Sequence, residues 1–225
     1  MRGMLLKLYL ALCLALSASV MGCASAPPSP LTLADANKIK IQSIKVAVAP
    51  DAAISWGSME GEFVNQKRSK KELPKASHIE TGSIGLQGRD PNDDVNAELI
   101  KSPEGQEFLK AQVAKRLTGA LENEFAANRN IGTRPAKLEV TVRNFFIPSA
   151  AQRVLIGGAP IIVASAVLRD AQSGAIIAER QNLGSAAFAG NGVAGVLADQ
   201  FFSDLDVRVV NAYASQYKEW LFPKT

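Results

Sequence analysis

Two stretches of the chain repeat apolar residues at helical spacing. After Ser102, Pro103 and Glu104 an apolar side chain recurs at every fourth position, and charged side chains occupy the other angles. These three residues suit a helix start, because serine caps free amides, proline fits the first turn and an acid complements the dipole. A similar row predicts a helix over residues 192–220. The stripes predicted to face the core are Leu109, Val113, Leu117, Leu121 and Phe125, and then Val193, Leu197, Phe201, Leu205, Val209, Tyr213 and Tyr217.

Four further segments are predicted to be strands. Residues 39–49 and 137–146 place apolar side chains at every second position, which is typical of a strand with one buried face. Residues 160–170 and 175–183 flank Ala-Gln-Ser-Gly, in which Gly174 suits the positive φ of a hairpin turn. The side chains expected on the buried faces are Ile44, Val46, Val48, Leu138, Val140, Val142, Ile162, Ala164, Ala166 and Leu168.

The segments between these elements carry turn and loop residues. Pro50 is predicted to end the first strand. Residues 51–101 are rich in Gly, Pro, Ser, Asn and charge with no sustained period, so we expect a long irregular loop there. Gly132 suits a left-handed turn after the first helix.

This order of elements favours an α+β fold. One mostly antiparallel sheet of about four strands, with two amphipathic helices packed on one face, buries both apolar stripes with few elements. We expect a single domain over residues 39–225, preceded by a leader and a tether.

The first residues have the pattern of an export signal. Arg2 and Lys7 precede the uncharged run LYLALCLALSASV, which ends at Val20. Met21, Gly22 and Cys23 come directly after it. The motif Val-Met-Gly-Cys resembles the lipobox of bacterial lipoproteins, in which an aliphatic residue, a tolerant position and a small residue precede the acylated cysteine. The resemblance implies a signal peptide over residues 1–22 and lipid, including palmitate, on Cys23.

Two other interpretations of the leader are weaker. A spanning helix needs about 20 strongly apolar residues, whereas the Leu-rich run here gives way to Gly22 and the Pro27-Pro28 pair. Ordinary cleavage would leave Cys23 as a free thiol in an oxidising compartment.

The lipobox resemblance also predicts a location. Residues 23–38, rich in Ala, Ser and Pro, are expected to form a solvated tether. Two or three acyl chains would hold the protein permanently on a bilayer. Ala24, which is not acidic, resembles the residue that passes lipoproteins to the outer membrane, so we expect the domain to face the periplasm from there.

The charge balance and the cysteine count narrow the range of possible functions. Removing Arg2 and Lys7 from the 25 basic residues leaves 23 against 21 acidic ones, a balance that argues against nucleic-acid binding. Of the two cysteines, Cys13 lies within the leader, so the mature chain has one thiol and no internal disulfide.

Two surface segments are candidate contact sites. The basic cluster Lys67, Arg68, Lys70, Lys71 and Lys75 would suit anionic headgroups or another acidic surface, or is a solvated loop. The apolar segment Val154, Leu155 and Ile156 lies between two predicted strands and would suit a protein partner if exposed, or is a further core or edge strand.

The sequence offers no convincing catalytic, cofactor or metal site. Gly190, Gly192 and Gly195 match G-x-G-x-x-G, but the strand and acidic residue of a dinucleotide fold do not follow. His78 is the only histidine and has no partner in a nucleophile motif. The carboxylates Asp90, Asp93 and Asp94 lack the spacing of a calcium loop and are read as a turn and helix cap.

The segment from Arg134 to Gly184, including RPAKLEVTV and LRDAQSG, resembles uncharacterised alphaproteobacterial envelope lipoproteins. The resemblance implies the fold and lends no activity. We therefore expect a non-enzymatic lipoprotein that binds or scaffolds another envelope component. Two alternatives remain open: an accessory lipoprotein subunit of an envelope transporter, and a carboxylate-dependent hydrolase.

Overall fold

Alternating strands and striped helices meet around one apolar core. The structure, a computed structural model, describes residues 28–70, 91–149, 159–186 and 204–222, with backbone alone for 91–94. The helices are α1 (Leu33–Ala36), α2 (Gly57–Ser69), α3 (Pro91–Lys101), α4 (Pro103–Glu124) and α5 (Leu205–Leu221). The strands are β1 (Ile39–Trp56), β2 (Arg134–Ile147), β3 (Ile161–Asp170) and β4 (Ile176–Ala186), and a short 3₁₀ turn covers Ala127–Arg129.

The four strands form one sheet in the order β1-β2-β3-β4. β2 pairs with β3 and β3 pairs with β4 antiparallel, whereas β1 pairs with β2 in parallel. Parallel neighbours need a long crossover, and the chain supplies it through α2, α3 and α4. The predicted α+β fold with a mostly antiparallel sheet is confirmed.

Two helices cover one face of the sheet, as predicted. α4 packs on β1, α5 packs on β4 and β3, and the two helices pack on each other. The α4 stripe Leu109–Phe125 is buried throughout, and so are Leu205, Val209, Tyr213 and Tyr217 on α5. The alternating β2 and β3 side chains that were predicted to face the core are all buried against these helices.

The predicted start of α4 and the two predicted glycine turns are confirmed. The Ser102 hydroxyl accepts a hydrogen bond from the Gly105 amide at 3.1 Å and caps α4. Gly132 has φ +97 and Gly174 has φ +74, the left-handed region that glycine adopts without strain. At Gly132 an added Cβ would lie 2.6 Å from the Ile39 carbonyl oxygen, so this turn requires glycine twice over.

The predicted end of β1 at Pro50 is wrong. The strand continues to Trp56, because β1 is an edge strand and its register with β2 breaks between Val48 and Ala53. Pro50 lies inside this irregularity, where its missing N–H costs no hydrogen bond of the ladder.

The predicted long loop over residues 51–101 is also wrong. This region holds the end of β1 and the helices α2 and α3, while residues 71–90 lie outside the described part. The helices lack a clear stripe because they bury few side chains: Phe63 and Val64 are the buried ones on α2. Their packing decides their structure more than their local pattern does.

The predicted tether is wrong for residues 28–38, which belong to the domain, and residues 23–27 lie outside the described residues. Pro28 and Ser29 already contact the end of α5, Leu31 packs against the core, and Ala36 on α1 is buried. Of the predicted helix over 192–220, the described part begins at Leu205, because Asp204 has non-helical torsion angles, and residues 192–203 lie outside the described residues.

Candidate functional site

A surface groove lies where β1 ends and α2 begins. Two adjoining cavities of about 560 and 600 Å³ share the lining residues Ile54, Ser55, Lys101 and Gln106. We call their union the end groove. One part extends along the ends of β1 and β2 to Phe146 and to Ile161 at the start of β3, and the other runs between α2 and α3.

The α3–α4 corner forms one wall of the end groove. Ser102 Oγ donates to the Leu99 carbonyl at 2.6 Å, and Gln106 Nε2 donates to the Ile100 carbonyl at 2.9 Å. Gly105 lies so close to this corner that a Cβ there would be 2.5 Å from the Leu99 oxygen. Two side-chain hydrogen bonds and one close backbone approach, all from residues 102–106, therefore fix this corner.

The opposite wall is α2. Its first turn is held by Glu60, whose Oε1 accepts from the Trp56 amide at 2.8 Å. Further along, Lys67 Nζ lies 2.6 Å from Glu104 Oε1 and 5.7 Å from the centre of the Phe63 ring. Arg68 Nη2 donates to Asn96 Oδ1 at 3.1 Å and so ties α2 to α3.

The end groove combines an apolar floor with a polar rim. Apolar atoms come from Ile54, Val64 and Ile100, and the rim carries amides, two cations and one acid. Among the described residues that line either cavity, Glu60 is the one carboxylate, and it lines the cavity between α2 and α3. In the described part of the chain, no group of three or more His, Cys, Asp or Glu could hold a metal ion. The rim residues are Glu60, Asn65, Arg68, Asn96, Lys101 and Gln106.

The residues predicted from sequence meet the end groove only in part. Arg68 lines it, and Lys67 stands beside it with its charge paired to Glu104. Lys70 is exposed just after α2. The remaining predicted contact residues lie outside the described residues: Cys23, Lys71, Lys75, Val154, Leu155 and Ile156.

The weak motifs can be placed no further. His78, Asp90 and the three glycines at 190, 192 and 195 lie outside the described residues, while Asp93 and Asp94 fall in the first turn of α3. No sequence pattern indicates the end groove, because its residues come from separate elements and become neighbours only on folding.

The chain matches one family model over residues 103–225, more than half of its length: a family of unknown function, DUF6778. The chain belongs to this family. The matched region holds α4, β2, β3, β4 and α5, so it contains most of the core. The groove residues on β1, α2 and α3 precede it. No curated protein sequence matches the chain.

Three solved structures are similar to this chain at low levels. A Caulobacter crescentus protein described as a candidate lipoprotein is 18% identical, with a TM-score of 0.31, over 50% of this chain and 85% of its own. Lipoprotein GNA1162 from Neisseria meningitidis is 12% identical, with a TM-score of 0.26, over 77% and 99%. Protein XCC0632 from Xanthomonas campestris is 19% identical, with a TM-score of 0.32, over 48% and 61%.

In the part of the chain that the structure describes, no helix is both long enough and apolar enough to cross a membrane.

Proposed function

We propose that this protein is a bacterial lipoprotein, anchored by acyl chains on Cys23, whose domain binds another envelope protein without catalysing a reaction. The basic n-region, short apolar run and Val-Met-Gly-Cys motif support the anchor. Ala24 after the cysteine supports the outer membrane as its location, with the domain in the periplasm.

The placement of the end groove carries the binding proposal. The chain enters the domain beside the end of α5, where Trp220 contacts Pro28. β2 runs from that end of the sheet, at Arg134, to the groove end, at Ile147. A strand of 14 residues spans roughly 40 Å at about 3.3 Å per residue. The groove thus opens away from the anchored side of the domain.

The chemistry of the groove fits a peptide segment of a protein partner. Asn65, Asn96 and Gln106 offer amide donors and acceptors above an apolar floor, as extended peptides require. A hydrolase acting through two carboxylates would need a second acid beside Glu60, and among the described lining residues there is none.

Site-specific crosslinking in intact cells tests the binding role. A photo-reactive amino acid at Asn65, an exposed rim position, is expected to capture a partner that mass spectrometry identifies. The matched control is the same amino acid at Lys45, which is exposed on β1 on the side of the sheet away from the helices. Equal capture at both positions, or none at Asn65, would contradict a role for the groove.

The anchor has its own test. Replacing residues 1–23 by an ordinary export leader that is cleaved without acylation should release the protein from the membrane fraction and lower the yield of the Asn65 crosslink, because a partner fixed in the envelope meets a free protein less often. An unchanged membrane fraction in this variant would refute anchoring through Cys23.

A further inference from the structure

The short connection from Cys23 to the domain restricts how the domain sits. Residues 24–27 alone separate Cys23 from Pro28, whose carbonyl accepts from the Trp220 indole at 3.2 Å. Ser29 Oγ also contacts the Leu221 carbonyl oxygen, at 3.4 Å. An extended chain gains at most about 3.6 Å per residue, so Pro28 lies no more than about 18 Å from Cys23 in any conformation. On the proposed anchor, the end of α5 is therefore held close to the lipid surface.

Apolar side chains are exposed at this same end of the sheet. Ile131 is 64% exposed, Ile176 is 53% exposed and Leu33 is 42% exposed. Ile131 precedes the Gly132 turn against Lys38 and Ile39, and Ile176 pairs with Arg169 at the start of β4. Three of the five large apolar side chains exposed in the described residues thus lie at this end, whereas Val95 and Ile161 lie towards the groove, and such a group suits a contact with lipid or protein.

Trp220 and Arg180 add the chemistry of a membrane interface. The Arg180 guanidinium lies 5.5 Å from the centre of the Trp220 ring, and both side chains are partly buried. Tryptophan favours the headgroup level, because its ring is apolar and its N–H is polar. Arginine binds phosphate through several donors, and the Arg180 side chain remains partly exposed.

Two of the other cations at this end are paired, whereas Lys40 and Lys137 form no ion pair among the described residues. Lys38 pairs with Asp35 at 3.2 Å, and Arg134 pairs with Asp170 at 2.9 Å. A contact that depended on a basic field would need unpaired cations there. Lys40 and Lys137 meet that need, so attraction to anionic headgroups can add to the insertion of the exposed apolar side chains.

From these observations we infer that the anchor-end surface, formed by Leu33, Ile131, Ile176, Arg180 and Trp220, rests against the phospholipid headgroups of the bilayer that holds Cys23. The inference rests on the proposed lipid anchor. The domain then keeps one orientation relative to the bilayer instead of reorienting freely on a long tether, and the end groove faces away from the lipid.

Tryptophan fluorescence tests the orientation, because the chain has two tryptophans. The full lipidated protein is placed in vesicles of phosphatidylethanolamine and phosphatidylglycerol, with and without acyl chains brominated near the headgroup. Trp56 is 1% exposed at the groove end of the sheet, so bromine should quench Trp220 alone. We expect a loss of emission in the wild type and no loss in Trp220→Phe.

A lengthened tether provides the matched control. Inserting about 20 Gly and Ser residues after Ala24 adds a flexible reach of about 25 Å, so the quenching of Trp220 should survive if the surface binds lipid by itself and weaken if the short tether alone holds it there. We expect the quenching to survive, and its loss in this variant would show that the surface has no affinity for headgroups and would overturn the inference. Wild-type protein that floats with the vesicles yet shows no quenching overturns the inference and leaves the anchor standing. Protein that fails to float overturns both.

Discussion

The indole N–H of Trp220 donates to the carbonyl of Pro28, two residues that lie 192 positions apart in the chain. This contact closes the N-terminal segment onto the last helix and makes residues 28–36 part of the domain.

Deleting residues 24–36 should therefore destabilise the domain, whereas deleting 24–27 should not. The longer deletion removes the Leu31 packing, buried Ala36 and the contacts of Pro28 and Ser29, together about 2 kcal/mol or more. The shorter one removes Ala, Ser, Ala and Pro, which have little apolar area to bury. Urea unfolding of the two soluble variants measures the difference, and equal stabilities would show that residues 28–36 are tether after all.

Three glycine-to-alanine variants should have graded effects. Gly132→Ala places a Cβ against the Ile39 carbonyl at positive φ, so we expect a loss of at least about 2 kcal/mol. Gly174→Ala has open space but the same kind of φ, which predicts a loss of about 1 kcal/mol. Gly119→Ala, inside α4 with open space, should gain about 0.5–1 kcal/mol. Thermal unfolding gives the order, and a stable Gly132→Ala would contradict the turn geometry.

The two tyrosines of α5 predict sensitivity to alkali. Burial raises the pKa of Tyr213 and of Tyr217 well above the usual value of about 10, and Tyr217 is raised further by Tyr213. Their contribution to stability is fully present below the unfolded pKa and is lost as the pH rises above it, because only the unfolded chain ionises there. The loss is about 1.4 kcal/mol per pH unit for each tyrosine. Phenolate absorbance should appear together with the loss of the fold.

Both tyrosine hydroxyls are buried and have no hydrogen-bond partner among the described atoms. Tyr217→Phe should therefore leave the free energy of unfolding at neutral pH unchanged, or raise it by about 1 kcal/mol. The double variant with Tyr213→Phe should also resist alkali better than the wild type. A loss above about 1 kcal/mol in Tyr217→Phe would mean that its hydroxyl is bonded.

The α3–α4 corner predicts a link between stability and the end groove. Ser102→Ala removes the cap of α4 and the bond to Leu99, with an expected cost of about 1 kcal/mol. Because this corner forms a groove wall, the Asn65 crosslink should weaken more than stability alone explains. Thr32→Ala, which removes the cap of α1 at the other end of the domain, is the control that should leave the crosslink intact.

The local pattern of the sequence was sufficient for the elements that carry a full stripe or a strict alternation. α4 was predicted with its cap, its stripe and its Gly132 stop, β2 and β3 were predicted with the correct buried faces, and β4 was predicted as the hairpin partner of β3. These features depend on residues within a few positions of one another, so a period and a turn residue determine them.

Long-range contacts decided the rest. Pro50 lies within β1 because that strand is at the edge of the sheet, and α2 and α3 exist where no pattern predicted them because they pack against α4 and β1. The end groove and the docking of Pro28 on Trp220 join residues that are far apart in the chain. By itself the sequence determined the leader motif and the core of the domain. Only the tertiary structure decided where the chain enters that domain and which end of it stays free.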